Sequence, residues 1–566
     1  MRNFRHQTAL YTIAFFLALA VRLIKLGEAP LTDLEARWAL QALGVAQGAH
    51  PALGSQPAYI LLTSVFFFLY GGGTNFLARI VPALVGSFLV FVPYLFRYRL
   101  KPRPSVVLAF MLALEPGLVA LSRQAGSSIL AVTFLLFAWG FWEQKQTRQA
   151  GVFAGLALLS GTWLWFGLVA LALTWTIRQL LERRIKTEAA PLPEPGTRSD
   201  WLTGLWFALG TIVLGGSLFF LSPNGLSAWL SALPEYLRGW TQPSGVSAGL
   251  MLFSLAAYQP LGLILAIMAS VRGWAQGSRR IMRLSLWGLV ALLTALIYPA
   301  HQIGDLAWML IPLWSLAALE LTHSSNVLIE ERREVVGVAA LIVLILAFIW
   351  LDFLGLIQSL GSSDQVTLRT WLMIGSFFLL IVSILLVAVG WSVRVARFGA
   401  VLGLTAALSV YSISALAGAS GLRVIPDAVE IWSPDGSLPE SGLLLKTVDQ
   451  ISDWSNININ SQPVTIAGID SPELQWLLHR HTVHVVSALD ISASPPIVVT
   501  TDKADPSLAA GYRGQSFVWR QTPLWGQAHF SDLIDWVTFH QIPVNKERII
   551  VWVRSDLFID STAPKP

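Results

Sequence analysis

The chain has 566 residues, of which 54% are hydrophobic and only 13% are charged, and its mean hydropathy is +0.61. This apolar content excludes an ordinary soluble protein, and repeated apolar runs of about twenty residues indicate membrane spans. The net charge of +5 is modest, and no basic and aromatic stripe suggests nucleic-acid binding. The chain has no cysteine, which excludes disulfides, thiol catalysis and Cys-ligated metals.

Apolar runs predict about thirteen membrane spans. They fall at 8–26, 76–97, 104–121, 127–143, 149–163, 164–181, 201–221, 248–271, 283–300, 304–321, 334–354, 370–390 and 397–417. Loops rich in Lys and Arg alternate with loops poor in them, so the basic loops are predicted to face the cytoplasm. The first span is interpreted as uncleaved. The N-terminus is then cytoplasmic, and the odd number of spans places the C-terminal tail outside.

Two domains are predicted. Residues 1–419 form an α-helical polytopic membrane domain, whose first outer loop, 27–75, includes a helix over 57–70 at the membrane interface. After about residue 420, strand-length apolar runs occur at Val464–Ile469, Val483–Leu489, Ile497–Thr501 and Arg548–Val553. Helical patterns lie between them at Ser441–Trp454, Ser471–His481 and Phe530–His540. This alternation predicts a small α/β domain over 420–566, and its sequence has no P-loop, GxGxxG or GxSxG motif.

A charge cluster follows the first span, in the stretch Ala29–Arg37. Charge near a bilayer is costly, so the cluster is a candidate functional site. Thr32 and Glu35 have capping-box spacing for a helix over 32–47, which is the structural interpretation of Glu35. On that helix Asp33 and Glu35 point about 200° apart, Arg37 shares a polar face with Asp33, and Trp38 is expected against the membrane.

Other polar residues lie near the predicted outer ends of spans. Glu115 is interpreted either as an ion-pair partner of Arg123 or as a second acidic residue of the cavity that faces residues 33–37. Arg79 is interpreted either as snorkelling to lipid phosphates or as binding a phosphate-bearing lipid substrate. His301 can reach an outer cavity, although a lone His is more often a polar loop residue. No paired metal-ligand spacing occurs in the sequence, so no structural zinc site is predicted.

Five short segments occur in a recognisable order within the first 145 residues. They are Arg22-Leu23, Pro30 to Ala36, Gln56-Pro57-Ala58-Tyr59, Ala78-Arg79-Ile80-Val81-Pro82 and Leu121-Ser122-Arg123-Gln124-Ala125. In this order they resemble membrane glycosyltransferases of the GT-C type, including protein mannosyltransferases and lipid A aminoarabinose transferases. The multi-span body with an outer C-terminal domain also looks like the bacterial and archaeal flippase-activity-associated subgroup.

The resemblance implies a GT-C fold and an enzyme of the prokaryotic plasma membrane. Such an enzyme moves a sugar from a polyprenyl-phosphate donor to a lipid, glycan or protein acceptor at the outer face, among membrane lipids. An acidic residue of the first loop acts as general base, and basic residues or a divalent metal ion offset the charge of the leaving phosphate. No other cofactor is implied. The candidate catalytic residues are Asp33, Glu35 and Glu115, and the candidate substrate-binding residues are Arg37, Gln56, Tyr59, Arg79, Arg123 and His301.

The sequence departs from the family pattern at the base. Alignment of Glu35-Ala36 with the family's Glu-Ala puts Leu34 at the catalytic Asp, and Asp33 lies one residue early. Gln56 replaces the usual His before Pro. Either Asp33 serves after a local shift, or Glu35 serves, or the chemistry is lost. The alternative function is therefore a non-catalytic relative that binds lipid-linked sugars or assists a flippase or transporter.

Overall fold

A computed structural model describes residues 2–184, 198–325, 331–358, 363–423, 428–433, 436–454, 462–490, 494–502 and 509–558. Helices make up the described chain as far as residue 419, and a sheet with flanking helices follows. The helices of the first part are α1 (Arg2–Leu23), α2 (Asp33–Ala46), α3 (Pro57–Tyr70), α4 (Asn75–Phe88), α5 (Val92–Leu95), α6 (Arg97–Leu100), α7 (Pro102–Leu114), α8 (Pro116–Ser122), α9 (Ile129–Glu143), α10 (Thr147–Leu158), α11 (Thr162–Arg184), α12 (Arg198–Gly216), α13 (Asn224–Arg238), α14 (Ala248–Tyr258), α15 (Pro260–Ala275), α16 (Arg279–Ile297), α17 (Ala307–Ser324), α18 (Arg332–Gln358), α19 (Ser363–Gly390) and α20 (Val393–Ala419).

The described chain has the build of a polytopic membrane protein, as predicted. Eight helical segments are long and apolar enough to cross a membrane, and the number rises to ten if the bent pairs α7–α8 and α14–α15 each count as one span. The eight are His6–Leu23, Asn75–Leu95, Thr162–Glu182, Arg279–Ile297, Ile303–Ser324, Arg332–Leu356, Gln365–Gly390 and Val393–Ala419. The other predicted spans fall on α9, α10 and α12, so the count of thirteen stays a prediction.

Both bent pairs break at a proline that follows a polar residue. Pro116 follows Glu115 at a bend of 57°, and Pro260 follows Gln259 at a bend of 91°. Proline has no N–H, and its ring clashes with the carbonyl four residues earlier, so a helix breaks there. Each break leaves backbone N–H groups at the start of the second helix, and these groups need a partner inside the protein.

Helix α2 confirms the helix predicted over 32–47. The Thr32 N–H donates to the Glu35 carboxylate at 3.1 Å, as a capping box requires. The expectation that Trp38 faces the membrane is wrong: it is 8% exposed and lies in the protein core, because α2 packs on α3. The run 57–70 is helical, as α3, and its place at the membrane interface stays a prediction.

The tail contains a five-stranded mixed sheet with strand order β2-β1-β3-β5-β4. Its elements are α21 (Ser441–Trp454), β1 (Val464–Ala467), α22 (Pro472–Leu477), β2 (Val483–Val486), β3 (Ile497–Thr501), β4 (Tyr512–Pro523), α23 (Phe530–Phe539) and β5 (Val544–Arg554). Strands β2, β1 and β3 are parallel, and β5 pairs antiparallel with both β3 and β4. The small α/β build is as predicted, although the sequence analysis missed β4. That strand begins with exposed residues, which weakens its apolar pattern.

Three tail tryptophans fix the tail on the end of the bundle that carries α2: Trp432, Trp476 and Trp536 belong to the same buried core as the membrane helices. The Trp476 ring stacks on Phe67 with centroids 5.8 Å apart, and its Nε1–H donates to Asn75 Oδ1 at 2.8 Å. Apolar packing therefore joins the two predicted domains closely. The boundary between residues 419 and 420 stays a prediction.

A glycine pair tests this docking. An added Cβ at Gly73 would lie 2.6 Å from the Trp476 ring, whereas one at Gly72 meets nothing within 4 Å. We expect Gly73→Ala to lower the free energy of unfolding by about 1–3 kcal/mol through overpacking. We expect Gly72→Ala to be nearly neutral. Thermal unfolding of the detergent-solubilised protein measures both, and equal effects would contradict this packing.

Candidate functional site

The loop Arg123–Ser128, between α8 and α9, is the meeting point of several predicted site residues. The Ala125 N–H donates to Glu35 Oε1 at 2.8 Å. Gly126 has φ +70°, and an added Cβ there would lie 2.5 Å from the Trp38 ring and 3.0 Å from Gln56 Oε1. Only glycine allows α2 and Gln56 to approach the loop this closely. The loop therefore brings Glu35, Gln56 and Arg123 to one place.

Glu35 and Arg79 form a buried ion pair at the centre of this cluster. The Arg79 Nε–H and Nη2–H donate to the two Glu35 oxygens at 2.8 and 2.6 Å. The Thr32 and Ala125 N–H groups add a second donor to each oxygen, at 3.1 and 2.8 Å. Glu35 is 4% exposed. Four N–H donors occupy both oxygens of its carboxylate, so little of its hydrogen-bonding capacity is left for a substrate.

The guanidinium of Arg79 also uses all of its N–H groups in hydrogen bonds. In addition to Glu35, its guanidinium donates to the carbonyls of Leu26, Ala29 and Pro30 at 3.3, 2.8 and 2.8 Å. These contacts fix the chain between α1 and α2. Arg79 thus holds the protein's own backbone in the structure, and its predicted contact with a substrate phosphate stays a prediction.

Asp33 points away from Glu35, as predicted from their spacing, and it faces the tail. One Asp33 oxygen pairs with Arg520 of β4. The other accepts from the Ser471 hydroxyl at 3.3 Å and from the Glu473 N–H at 3.2 Å, at the start of α22. Its side chain is 31% exposed. Asp33 therefore joins the membrane part to the tail and is the most exposed of the three candidate carboxylates.

Glu115 lies at the break between α7 and α8. Its carboxylate accepts from the Gly117 N–H at 2.9 Å, from the Leu118 N–H and from the side-chain amide of Gln259. The two broken helix pairs therefore meet through Glu115 and Gln259. The predicted pairing with Arg123 is wrong, because Arg123 Nη1–H instead donates to the carbonyls at the end of α1, those of Val21, Arg22 and Ile24 at 3.1, 2.9 and 2.7 Å.

The remaining predicted residues are in different settings. Arg37 is exposed on α2. Tyr59 is 1% exposed, and its hydroxyl donates to the Ala78 carbonyl at 2.7 Å. His301 is 8% exposed, its Nδ1 lies 2.6 Å from the Tyr298 carbonyl, and its buried Nε2 has no partner in the described chain. His301 contacts the loop after α16 and is not joined to the Glu35 cluster by a hydrogen bond that the structure describes.

Sequence reasoning missed three polar residues of this region: Gln259, Glu473 and Arg520. Arg520 pairs with Glu473 at 2.6 Å as well as with Asp33. A signal for Gln259 was present, because both Glu115 and Gln259 directly precede a proline inside an apolar run. No comparable signal marks Arg520, since it lies on the missed strand β4 and meets Asp33 across 487 positions of sequence.

A cavity of about 310 Å³ lies at the seam between the chain before α2, the start of α4 and the tail. Its lining includes Pro30, Asn75, Glu473, His479 and Arg480. Burial lowers the pKa of His479. Burial also raises the pKa of Glu473 to about 7, with the Arg520 charge opposing the rise and the Asp33 charge adding to it. The seam thus holds titratable groups beside Asp33.

The site's donor set does not fit a divalent metal ion. In the described residues, no three His, Asp or Glu side chains converge as metal ligands. The oxygens of Glu35 and Glu115 already accept hydrogen bonds from N–H donors. No step is therefore assigned to a metal here, and the divalent metal ion that the resemblance implies stays a prediction.

The membrane bundle with its docked tail defines a class of protein, namely the polytopic membrane proteins with a GT-C fold. The chain is similar to the crystal structure of ArnT from Cupriavidus metallidurans bound to undecaprenyl phosphate, with a TM-score of 0.56 at 14% identity, covering 99% of this chain and 100% of that chain. The apo state of that ArnT gives a TM-score of 0.53 at 14% identity, covering 99% of both chains. No protein-family model and no curated protein matches the chain significantly. The predicted GT-C fold is therefore confirmed over nearly the whole length.

The buried pair can be tested against an exposed one. We expect Glu35→Gln to lower the free energy of unfolding by about 3–5 kcal/mol, because it leaves the buried Arg79 guanidinium without its counter-charge. Glu28→Gln is the matched control, because Glu28 pairs with Lys25 at the exposed surface and such pairs contribute at most about 1 kcal/mol. Thermal unfolding in detergent measures both variants, and a stable Glu35→Gln protein would refute the structural role of this pair.

The stability of the tail is expected to depend on Glu473 ionisation. Its folded pKa, about 7, lies above its ordinary value of 4.5, so the folded form binds the proton more tightly than the unfolded form. The resulting stabilisation is complete below about pH 4.5 and is lost as the pH rises to about 7. Hydrogen exchange of β4 between pH 5 and 8 measures this. Glu473→Gln should remove the dependence and Glu547→Gln, at an exposed Arg520 contact, should keep it.

Proposed function

We propose that the protein is a GT-C glycosyltransferase that moves a sugar from a polyprenyl-phosphate carrier to an acceptor at the outer membrane face. The observation that carries this proposal is the cluster of buried and half-buried charges around Asp33, Glu35 and Arg79, at one end of a GT-C bundle. The fold likeness supports it, because the ArnT structure that the chain resembles over nearly its whole length binds undecaprenyl phosphate. Charges concentrated at one end of a bundle are typical of a functional site.

Asp33 is the proposed general base. Glu35 is held by four donors, and Glu115 caps α8 and binds Gln259. Asp33 is instead partly exposed, and among the described residues one of its oxygens is bound only by the Arg520 side chain. Displacement of Arg520, with or without movement of the tail, would free that oxygen to accept a proton. The acceptor could displace Arg520 as it binds.

Arg37 is the proposed phosphate contact. It is exposed, and it lies one helical turn after Asp33 on the same face of α2. The guanidinium groups of Arg79 and Arg123 instead bind backbone carbonyls. We assign them a positioning role, in which Arg79 holds α2 through Glu35 and Arg123 holds the end of α1.

The proposed reaction is a single displacement at the anomeric carbon. The acceptor hydroxyl oxygen attacks this carbon while its proton passes to Asp33. The bond between the carbon and the phosphate oxygen breaks, and the electron pair leaves with the polyprenyl phosphate. Arg37 offsets the charge that develops on this leaving phosphate. Attack opposite the leaving group inverts the anomeric configuration.

A second function is favoured by one specific observation. Leu34 occupies the position that aligns with the family's catalytic Asp, and all three candidate carboxylates are bound to protein groups. A non-catalytic protein that binds lipid-linked sugars, or assists a flippase or transporter, would keep the fold and the structural pairs without the base.

Turnover separates the two functions. Membranes that contain the protein are given radiolabelled polyprenyl-phosphate sugars, and transfer and binding are both measured. We expect Asp33→Asn to lower transfer by about 10²-fold or more with binding retained, and Arg37→Gln to weaken donor binding. Glu28→Gln, at an exposed pair, is the matched charge control.

The outcomes differ for each function. Unchanged transfer in Asp33→Asn would refute its assignment as the base. Donor binding by the wild type with no transfer to lipid, glycan or protein acceptors would refute the transferase and support the non-catalytic function.

A further inference from the structure

A second cavity, of about 530 Å³, lies at the end of the bundle opposite Glu115. It is bounded by the first turns of α7 and α16 and by the last turns of α15 and α17. Helix α7 begins at this cavity and ends next to Glu115, so its thirteen residues separate the two places by about 20 Å. The Lys and Arg distribution predicts that this end faces the cytoplasm.

The cavity is strongly basic. Lys101, Arg103, Arg272 and Arg280 line it, and its lining includes no Asp or Glu among the described residues. Arg272 has a carboxylate partner behind it, Glu320, at 2.7 Å. Glu320 is wholly buried and also binds Arg397 at 2.9 Å, so one negative charge is shared by two arginines. Among the described residues, the lining of the cavity therefore carries more cations than carboxylates.

Two helix N-termini add to this positive potential. The first turns of α7 and α16 both line the cavity, and neither Lys101 nor Ser278 caps its helix with a side-chain hydrogen bond. Partial positive charge at a helix N-terminus favours an anion. The N–H donors come mainly from the first turn of α16, because Pro102 and Pro104 leave Arg103 as the only N–H among the first three residues of α7. Arg280 donates one N–H to the Arg99 carbonyl at 2.8 Å, which fixes its guanidinium at the cavity wall.

We propose that this cavity binds a phosphate group, presented either by an anionic phospholipid headgroup or by free phosphate. Arginine guanidinium groups and helix N-termini suit phosphate oxygens. Ile281 and Leu319 give the cavity an apolar wall that a lipid's glycerol and chain ends can contact. Basic pockets between membrane helices on the cytoplasmic side suit anionic lipid headgroups. The site is separate from the proposed transfer chemistry and does not depend on it.

Topology alone does not produce this arrangement. The bias that places Lys and Arg in cytoplasmic loops accounts for exposed residues such as Arg332 and Arg333, which do not line the cavity. It gives no reason for four cations from two separate connections, α6–α7 and α15–α16, to surround one concavity. Arg332 and Arg333 therefore serve as a matched control, because they and the cavity cations are predicted to lie on the same, cytoplasmic side.

The test uses the full-length protein in a neutral detergent. Binding of dioctanoyl phosphatidylglycerol and of inorganic phosphate is measured by titration calorimetry, with dioctanoylglycerol as the phosphate-free lipid. We expect Lys101→Gln with Arg103→Gln to weaken phosphatidylglycerol binding by about tenfold or more. The equally charged change Arg332→Gln with Arg333→Gln should leave binding within about twofold. Gln276→Glu, which adds a carboxylate at the exposed rim, should weaken it without disturbing the buried wall.

Each outcome decides the proposal. Selective loss in the cavity variants supports it, and phosphatidylglycerol that binds more tightly than inorganic phosphate identifies a lipid as the source. Inorganic phosphate that binds as tightly, with the same loss in the variants, supports a phosphate site filled from solution. Equal loss in the Arg332 and Arg333 variant would overturn the proposal, as would no phosphate-dependent binding to the wild type. The thermal midpoint of each ligand-free variant shows that it is folded.

Discussion

The buried Glu35–Arg79 pair is the interaction on which the rest of this end of the molecule depends. It joins α2 to α4, and its further hydrogen bonds hold the chain before α2 and the loop after α8. A buried charge is costly unless it is paired and its remaining hydrogen-bonding capacity is satisfied. Here both oxygens of Glu35 and all the N–H groups of Arg79 are used. The pair can therefore fix the position of α2 with little freedom.

With α2 fixed, the two carboxylates in its first turn take different roles. Glu35 points into the protein, and Asp33, two residues earlier, points to the tail, where Arg520 and the start of α22 meet it. The tail tryptophans supply the apolar part of the same docking. Two of the charged side chains in this cluster, Asp33 and Glu35, thus bind other groups of the protein and hold its parts together. Arg37 alone among its charged residues remains on the exposed face of α2.

Local signals in the sequence were enough for most of the elements, although not for β4. The Thr32 and Glu35 spacing predicted the start of α2, and Ser471 before Pro472 predicted the start of α22. Partners far apart in sequence were not predictable in the same way. Glu115 and Gln259 are 144 positions apart, and Asp33 and Arg520 are 487 apart. A capping box is encoded within four residues, whereas these pairs exist only once the helices and the tail have packed.

The two ends of the bundle differ in their balance of positive and negative side chains. At the α2 end, Glu35 pairs with Arg79 and Asp33 pairs with Arg520 of the tail, so these charges stabilise the fold. Glu473, His479 and Arg480 line the seam cavity there, and Glu473 contacts both Asp33 and Arg520. At the other end cations exceed carboxylates around a cavity. Because repulsion among like charges opposes folding, an anion would stabilise a cavity lined by several cations. Helix α7 connects the two ends. An anion bound at the N-terminus of α7 would therefore contact the helix that ends directly before Glu115.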